Sequence, residues 1–275
     1  MLTTKVLALA TTLVLLTSMP APAHDMSAMT GTTKASNGMG VHSHMDAHMR
    51  MTELRPQTPQ DAERAQQIAD TLRRALVPYR NYRVPLGKGY SIFLPGVPQD
   101  VYHFVDFATS NREYRGYFDP AHPGSLLYVK KPDGYYVLVG AMYSAPPDYT
   151  ESQLDELIPL SVARWHQHVD ICLPKGITLG DMLNNNIGIG DDHMPGMLPI
   201  AEGPTAVALD HREGFMADGR FGFDGAIRDP GTCQAAGGHF IPLAFGWMVH
   251  VYPFAGDDLK VEYGMDVPKL APPSS

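Results

Sequence analysis

The sequence predicts a mainly β domain of the α+β class: an antiparallel sheet, sandwich or barrel, with two flanking helices. Aromatic and β-branched residues gather in short extended runs bounded by Gly, Pro, Asn and Asp. One pair of runs is joined by a glycine turn, and only two segments carry helical spacing. The 275 residues, 44% hydrophobic and 18% charged, suffice for one domain with its own core.

Residues 1–23 read as a signal peptide. Lys5 supplies the positive end, Val6 to Leu16 the short apolar run, and Ala21-Pro22-Ala23 the small-x-small cleavage pattern. The run is too short for a comfortable membrane span, and a signal anchor is the alternative. The expected mature protein is periplasmic or secreted, with no stable membrane insertion, and begins at His24.

Residues 24–53 form the next segment, expected to be a disordered Met/His-rich tail. Between His24 and Met51 stand His24, His42, His44 and His48 with Met26, Met29, Met39, Met45, Met49 and Met51. Core-forming residues are nearly absent, so burial cannot offset the entropy of ordering. Thioether sulfur favours Cu(I), and imidazole accepts Cu(II), zinc or nickel. The alternative is a low-complexity linker whose methionines scavenge oxidant.

Residues 54–275 form a single β-rich domain. Thr58-Pro59 is a cap followed by a first-turn proline, and Ala65, Ile68, Ala69, Leu72 and Leu76 recur at helical spacing, so 59–76 is a helix. Tyr90–Leu94 and Val101–Phe107 read as strands. Ser125–Lys131 and Tyr135–Tyr143 form a hairpin through Pro132-Asp133-Gly134. A second helix starts at Thr150, with Gln153 completing a capping box, and stops at Pro159. Arg164–Leu173 and Phe245–Phe254 are strands, separated by a long loop at about 174–238. A loop of that length points to function or to order around a ligand.

Cys172 and Cys233 are an even pair, and in an exported protein a disulfide is the default. Cys172 as a metal thiolate is the alternative, although Leu173-Pro174-Lys175 offers none of the ligands of a blue-copper site.

On strand 164–173, alternation sends His166, His168, Asp170 and Cys172 to one side and Trp165, Gln167, Val169 and Ile171 to the other. His166 and His168 can therefore converge on one ion. A strand-borne His-x-His is how cupins and several zinc and copper sites begin, so the barrel form of the fold is expected to be cupin-like. His250 lies opposite Trp247, Val249 and Val251 and supplies a third imidazole, with His103 as a fourth ligand or a supporting residue. Three histidines and an open position suit copper, zinc or another divalent transition metal. The structural alternative is a set of ordinary sheet histidines. Weaker candidates are Asp191-Asp192-His193-Met194 with Met197, and His24 as a free N-terminal amine-imidazole pair.

The 24–51 segment resembles the Met/His-rich stretches of periplasmic copper-resistance proteins. The body is similar to uncharacterised secreted bacterial proteins with WHxH and GWMVHVYPF segments, a resemblance that implies no activity. Acids outnumber bases 29 to 21, which argues against nucleic acid as a partner. There is no Gly-x-Ser-x-Gly, His-Glu-x-x-His, P-loop or Gly-x-Gly-x-x-Gly. The expected function is copper capture or handling, with metal ions and other periplasmic metal carriers as partners. The alternatives are a mononuclear cupin-like metalloenzyme, oxidative or hydrolytic, with a pocket lined by Tyr102, Trp165 and Tyr252, and a metal-free ligand- or partner-binding β-domain.

Overall fold

Seven strands build one antiparallel sheet: β1 (Met49–Met51), β2 (Ser91–Ile92), β3 (Tyr102–Val105), β4 (Ser125–Lys130), β5 (Tyr136–Ala145), β6 (His166–Leu173) and β7 (His239–Val251). Their order is β1-β6-β7-β5-β4-β3-β2, with every neighbouring pair antiparallel. The computed structural model describes residues 48–95, 99–177 and 219–268. Residues 1–23, expected to be a signal peptide, and His24, His42, His44, Met45 and the Asp191–Met197 cluster lie outside the described residues. Among those described, the strands form one open sheet, with no ladder joining β1 to β2, and no helix is long and apolar enough to cross a membrane.

The longest helix, α1 (Pro59–Ala75), starts where the sequence places it. The Thr58 hydroxyl accepts from the Asp61 amide while the Asp61 carboxylate accepts from the Thr58 amide. Its apolar stripe of Ala65, Ile68, Ala69 and Leu72 packs on one face of the sheet, against a core that includes Tyr128, Tyr143, Trp165, Val249 and Val251. Complete burial of each large side chain contributes about 1.5–3 kcal/mol. The short helix α2 (Arg83–Gly87) precedes β2. Arg55 links Asp61 of α1 to Asp155 of α4 (Glu151–Leu157), whose Thr150–Gln153 capping box is present as expected.

Several boundaries move. The strand expected over Val101–Phe107 stops at Val105, because Asp106 caps a helix, α3 (Phe107–Glu113), by accepting from the Ala108 amide. The last strand begins at His239, directly after the expected loop of about 174–238 and ahead of the expected start at Phe245, and ends at Val251. Asp229 caps α5 (Pro230–Ala235) within that expected loop, and α6 (Leu259–Glu262) is the last helix among the described residues. More helices flank the sheet than the two expected, since these short caps lack the length that makes helical periodicity visible.

Residues 48–52, expected in the disordered tail, belong to the folded body. β1 pairs with β6 in the register Met49↔His168, Arg50↔Gln167 and Met51↔His166. The Thr52 amide then donates to the Trp165 carbonyl at 2.9 Å, and the Thr52 hydroxyl accepts from the Trp165 amide at 3.0 Å. Cys172 and Cys233 form a disulfide with Cα atoms 5.6 Å apart, so the thiolate alternative for Cys172 is excluded.

The second face of the sheet is concave. His103 on β3 and His250 on β7 are separated by β4 and β5, about 14 Å along a flat sheet. Their Nε2 atoms nevertheless lie 3.5 Å apart. Phe93, just after β2, also reaches Phe245 of β7, with ring centroids 6.1 Å apart. The sheet is thus rolled, and its β2–β3 end approaches β7 through side chains instead of backbone hydrogen bonds.

Candidate metal centre

Cross-strand register decides which side chains enter the concavity. Directly opposed residues of an antiparallel pair share a face. His103 opposes Leu127, Leu127 opposes Gly140, Met142 opposes His250, and Met248 opposes His166. His103, His166, His168 and His250 therefore occupy one face, as alternation predicts for the β6 pair. Gly140 is needed there: a Cβ at this position would lie 2.2 Å from the Val251 carbonyl oxygen and 3.0 Å from the Tyr252 ring. Its absence lets Tyr252 lie beside the site, with the Tyr252 hydroxyl 3.3 Å from His250 Nδ1.

The four rings form a row. Centroids are 5.5 Å apart for His168 and His166, 5.2 Å for His166 and His250, and 5.5 Å for His250 and His103. Burial lowers the proton affinity of each one, and the charges of neighbouring imidazoles lower three of them further. His103 falls to about 3, His168 and His250 to about 4, and His166 well below its ordinary value. All four are neutral at pH 7, so their unprotonated nitrogens can bind a cation without first losing a proton. His166 Nδ1 is buried without a hydrogen-bond partner.

Ligand nitrogens at about 2.0–2.1 Å from a tetrahedral ion stand about 3.3 Å from each other. The His103–His250 separation of 3.5 Å is close to that spacing. Among the described residues, no group of three or more His, Cys, Asp or Glu side chains is arranged to hold a metal ion as it stands.

Two other expected ligands belong to the folded body. His48 is buried, and backbone carbonyls engage both its ring nitrogens: Gly225 at 2.6 Å and Val169 at 3.2 Å. It is a fastener for the start of β1 and has no nitrogen left for a metal. Met49 lies in β1 instead of in a free tail. Tyr102 and Trp165 point into the opposite core, so of the expected pocket aromatics only Tyr252 reaches the histidines. The expected Asp170–Cys172 continuation of the histidine face also fails. Asp170 has φ +55°, which breaks the alternation. Ile171 and Leu173 pack with Leu94, Ile177 and Ala244, while Cys172 packs with Cys233 and Ile227.

Phe223, Met142 and Met248 escaped the sequence reading. Phe223 contacts His168 with centroids 5.0 Å apart and stacks near Phe245. The two methionines sit in the apolar cluster with Leu127, Val139 and Tyr252. Pairing register is the signal that would have found them. No family model matches the chain, and neither the curated proteins nor the solved structures compared with it give a match.

Proposed function

We propose that the protein is an exported metal-binding protein that captures or handles copper at the concave histidine face. One observation carries the reading: four neutral imidazoles, His166 buried and the other three half-buried, meet in a row, two of them with facing nitrogens 3.5 Å apart. An apolar core would gain more from hydrocarbon at these positions than from four nitrogen heterocycles. His103 and His250 would hold the ion first. His166, whose Nδ1 lacks a partner, would supply a third nitrogen by turning about its side-chain bonds, and His168 stands next in the row. The disulfide supports an oxidising compartment and thus export. The Met/His-rich segment 24–47 would raise the local concentration of metal, and other metal carriers are the natural exchange partners.

The rolled sheet with its histidines inside supports the cupin-like form of the fold. It also supports a second reading as a mononuclear metalloenzyme, with Tyr252 beside His250 near any open position. Zinc or another divalent metal suits the same donors. Titration of metal-free full-length protein with Cu(II) and zinc under a competing chelator tests the proposal. His166→Ala and His250→Ala should each lower the affinity at least tenfold. Unchanged affinity in both leaves the histidines structural, as in a metal-free β-domain, whereas water coordinated to the bound ion would favour the enzyme.

A further inference from the structure

The concave face carries a second kind of donor. The four histidines have six directly opposed cross-strand partners: Leu127 for His103, Met142 for His250, Met51 and Met248 for His166, and Met49 and Ala244 for His168. Four of these six positions are methionine, in a chain with 15 methionines among 275 residues. Opposed Cβ atoms lie about 4.5–5.5 Å apart, within reach of a flexible thioether for the same ion.

We propose that Met49, Met51, Met142 and Met248 form the thioether side of the histidine site, so that it holds copper in the reduced, Cu(I) state. The proposal rests on the reading of the histidine face as a metal site and adds the oxidation state. Thioether sulfur is a soft, neutral donor that selects Cu(I) over zinc. Cu(I) carries one positive charge, so neutral imidazoles and thioethers can enclose it in a partly buried site with less uncompensated charge than a divalent ion leaves. His166 is flanked on both sides, by Met51 on β1 and Met248 on β7. β1 continues directly from the Met/His-rich segment. The carbonyls that hold His48 fix the start of β1 next to the strand bearing His166 and His168.

Methionine also serves as a flexible filler of irregular cores, and the test separates the two roles. The parent is the full-length chain with Met26, Met29, Met39 and Met45 replaced by Ser, which removes the thioethers before β1. In that background, Met142→Leu/Met248→Leu and Met49→Leu/Met51→Leu keep side-chain volume and remove sulfur. Each is titrated with Cu(I) against bathocuproine disulfonate without oxygen, and with zinc against a chromophoric chelator. The expected result is a loss of Cu(I) affinity of at least tenfold in each double variant, with zinc affinity changed less than twofold. X-ray absorption of the Cu(I)-loaded parent, which needs no core substitution, should show sulfur as well as nitrogen bound to copper. Unchanged Cu(I) affinity with nitrogen alone around copper overturns the thioether role and leaves the histidine site standing. A parent that binds neither metal overturns both.

Discussion

Replacing His166 by leucine should separate folding stability from metal binding. His166 is 2% exposed, and its Nδ1 has no partner. An unpaired buried polar atom costs about 1–3 kcal/mol, and leucine is a close match in size without that atom. In chelator-treated protein at pH 7, His166→Leu should therefore be as stable as the wild type, or more stable by up to about 3 kcal/mol. Excess metal should reverse the order. An ion bound only to the folded state stabilises it by about 2.7 kcal/mol at a concentration one hundred times Kd. The variant, with one imidazole fewer, should gain much less. Binding to the Met/His-rich segment occurs in folded and unfolded chains alike and cancels. Urea unfolding followed by the fluorescence of Trp165 and Trp247, with and without metal, reads both effects. Metal-free His166→Leu less stable by more than about 1 kcal/mol, or a metal-dependent gain equal to the wild type's, would refute the reasoning.

Four further outcomes are expected. Metal-free protein should lose stability on acidification: His103, His166, His168 and His250 titrate below their ordinary value of 6.5, so the unfolded chain binds more protons in between. Their contribution is present above pH 6.5 and is lost as the pH falls through about 4 and then 3, at up to about 1.4 kcal/mol per pH unit for each histidine; a urea midpoint constant from pH 7.5 to pH 5 contradicts this. Reduction of Cys172–Cys233, which closes a 61-residue separation, should cost about 2–4 kcal/mol in the same assay. Gly140→Ala should destabilise by at least about 1–3 kcal/mol, because its Cβ would meet the Val251 backbone oxygen, and thermal unfolding checks it. Glu113→Gln should cost about 1–3 kcal/mol, since the two Glu113 oxygens accept from the Gly124 and Ser144 amides and an amide can accept at only one of its two ends. Burial raises the Glu113 carboxyl from 4.5 to about 8, so its contribution should be full below pH 4.5 and weaken as the pH rises from 4.5 to 8 in the wild type and not in the variant.

How much was legible depended on range in the chain. Caps and turns are local chemistry, and Thr58, Thr150 and the Asp133-Gly134 turn lie where the sequence puts them. Strand alternation is local too, so the shared face of His166 and His168, and the placement of His250 opposite Trp247, could be read directly. The meeting of His103 with His250 could not be derived from spacing. It depends on the roll of the sheet across two intervening strands, which no periodicity encodes. The methionine partners were invisible for a related reason: they follow from pairing register, a property of two distant segments. Asp170 shows the limit of alternation itself. One residue with positive φ moved Ile171 and Cys172 to the sides opposite those predicted, and aspartate only weakly signals that conformation. β1 was hidden because its three residues lie inside a ligand-rich segment whose composition argued for disorder.

The most direct test of the metal site is the copper content of full-length protein purified without affinity tag or chelator, measured by elemental mass spectrometry beside the His103→Ala/His250→Ala variant. The segment before His48 is common to both, so the difference reports the concave face alone. The wild type should retain about one equivalent of copper more than the variant, as expected for one ion on one imidazole cluster. Equal copper in the two proteins, or none in either, contradicts the assignment of the four histidines as a copper site.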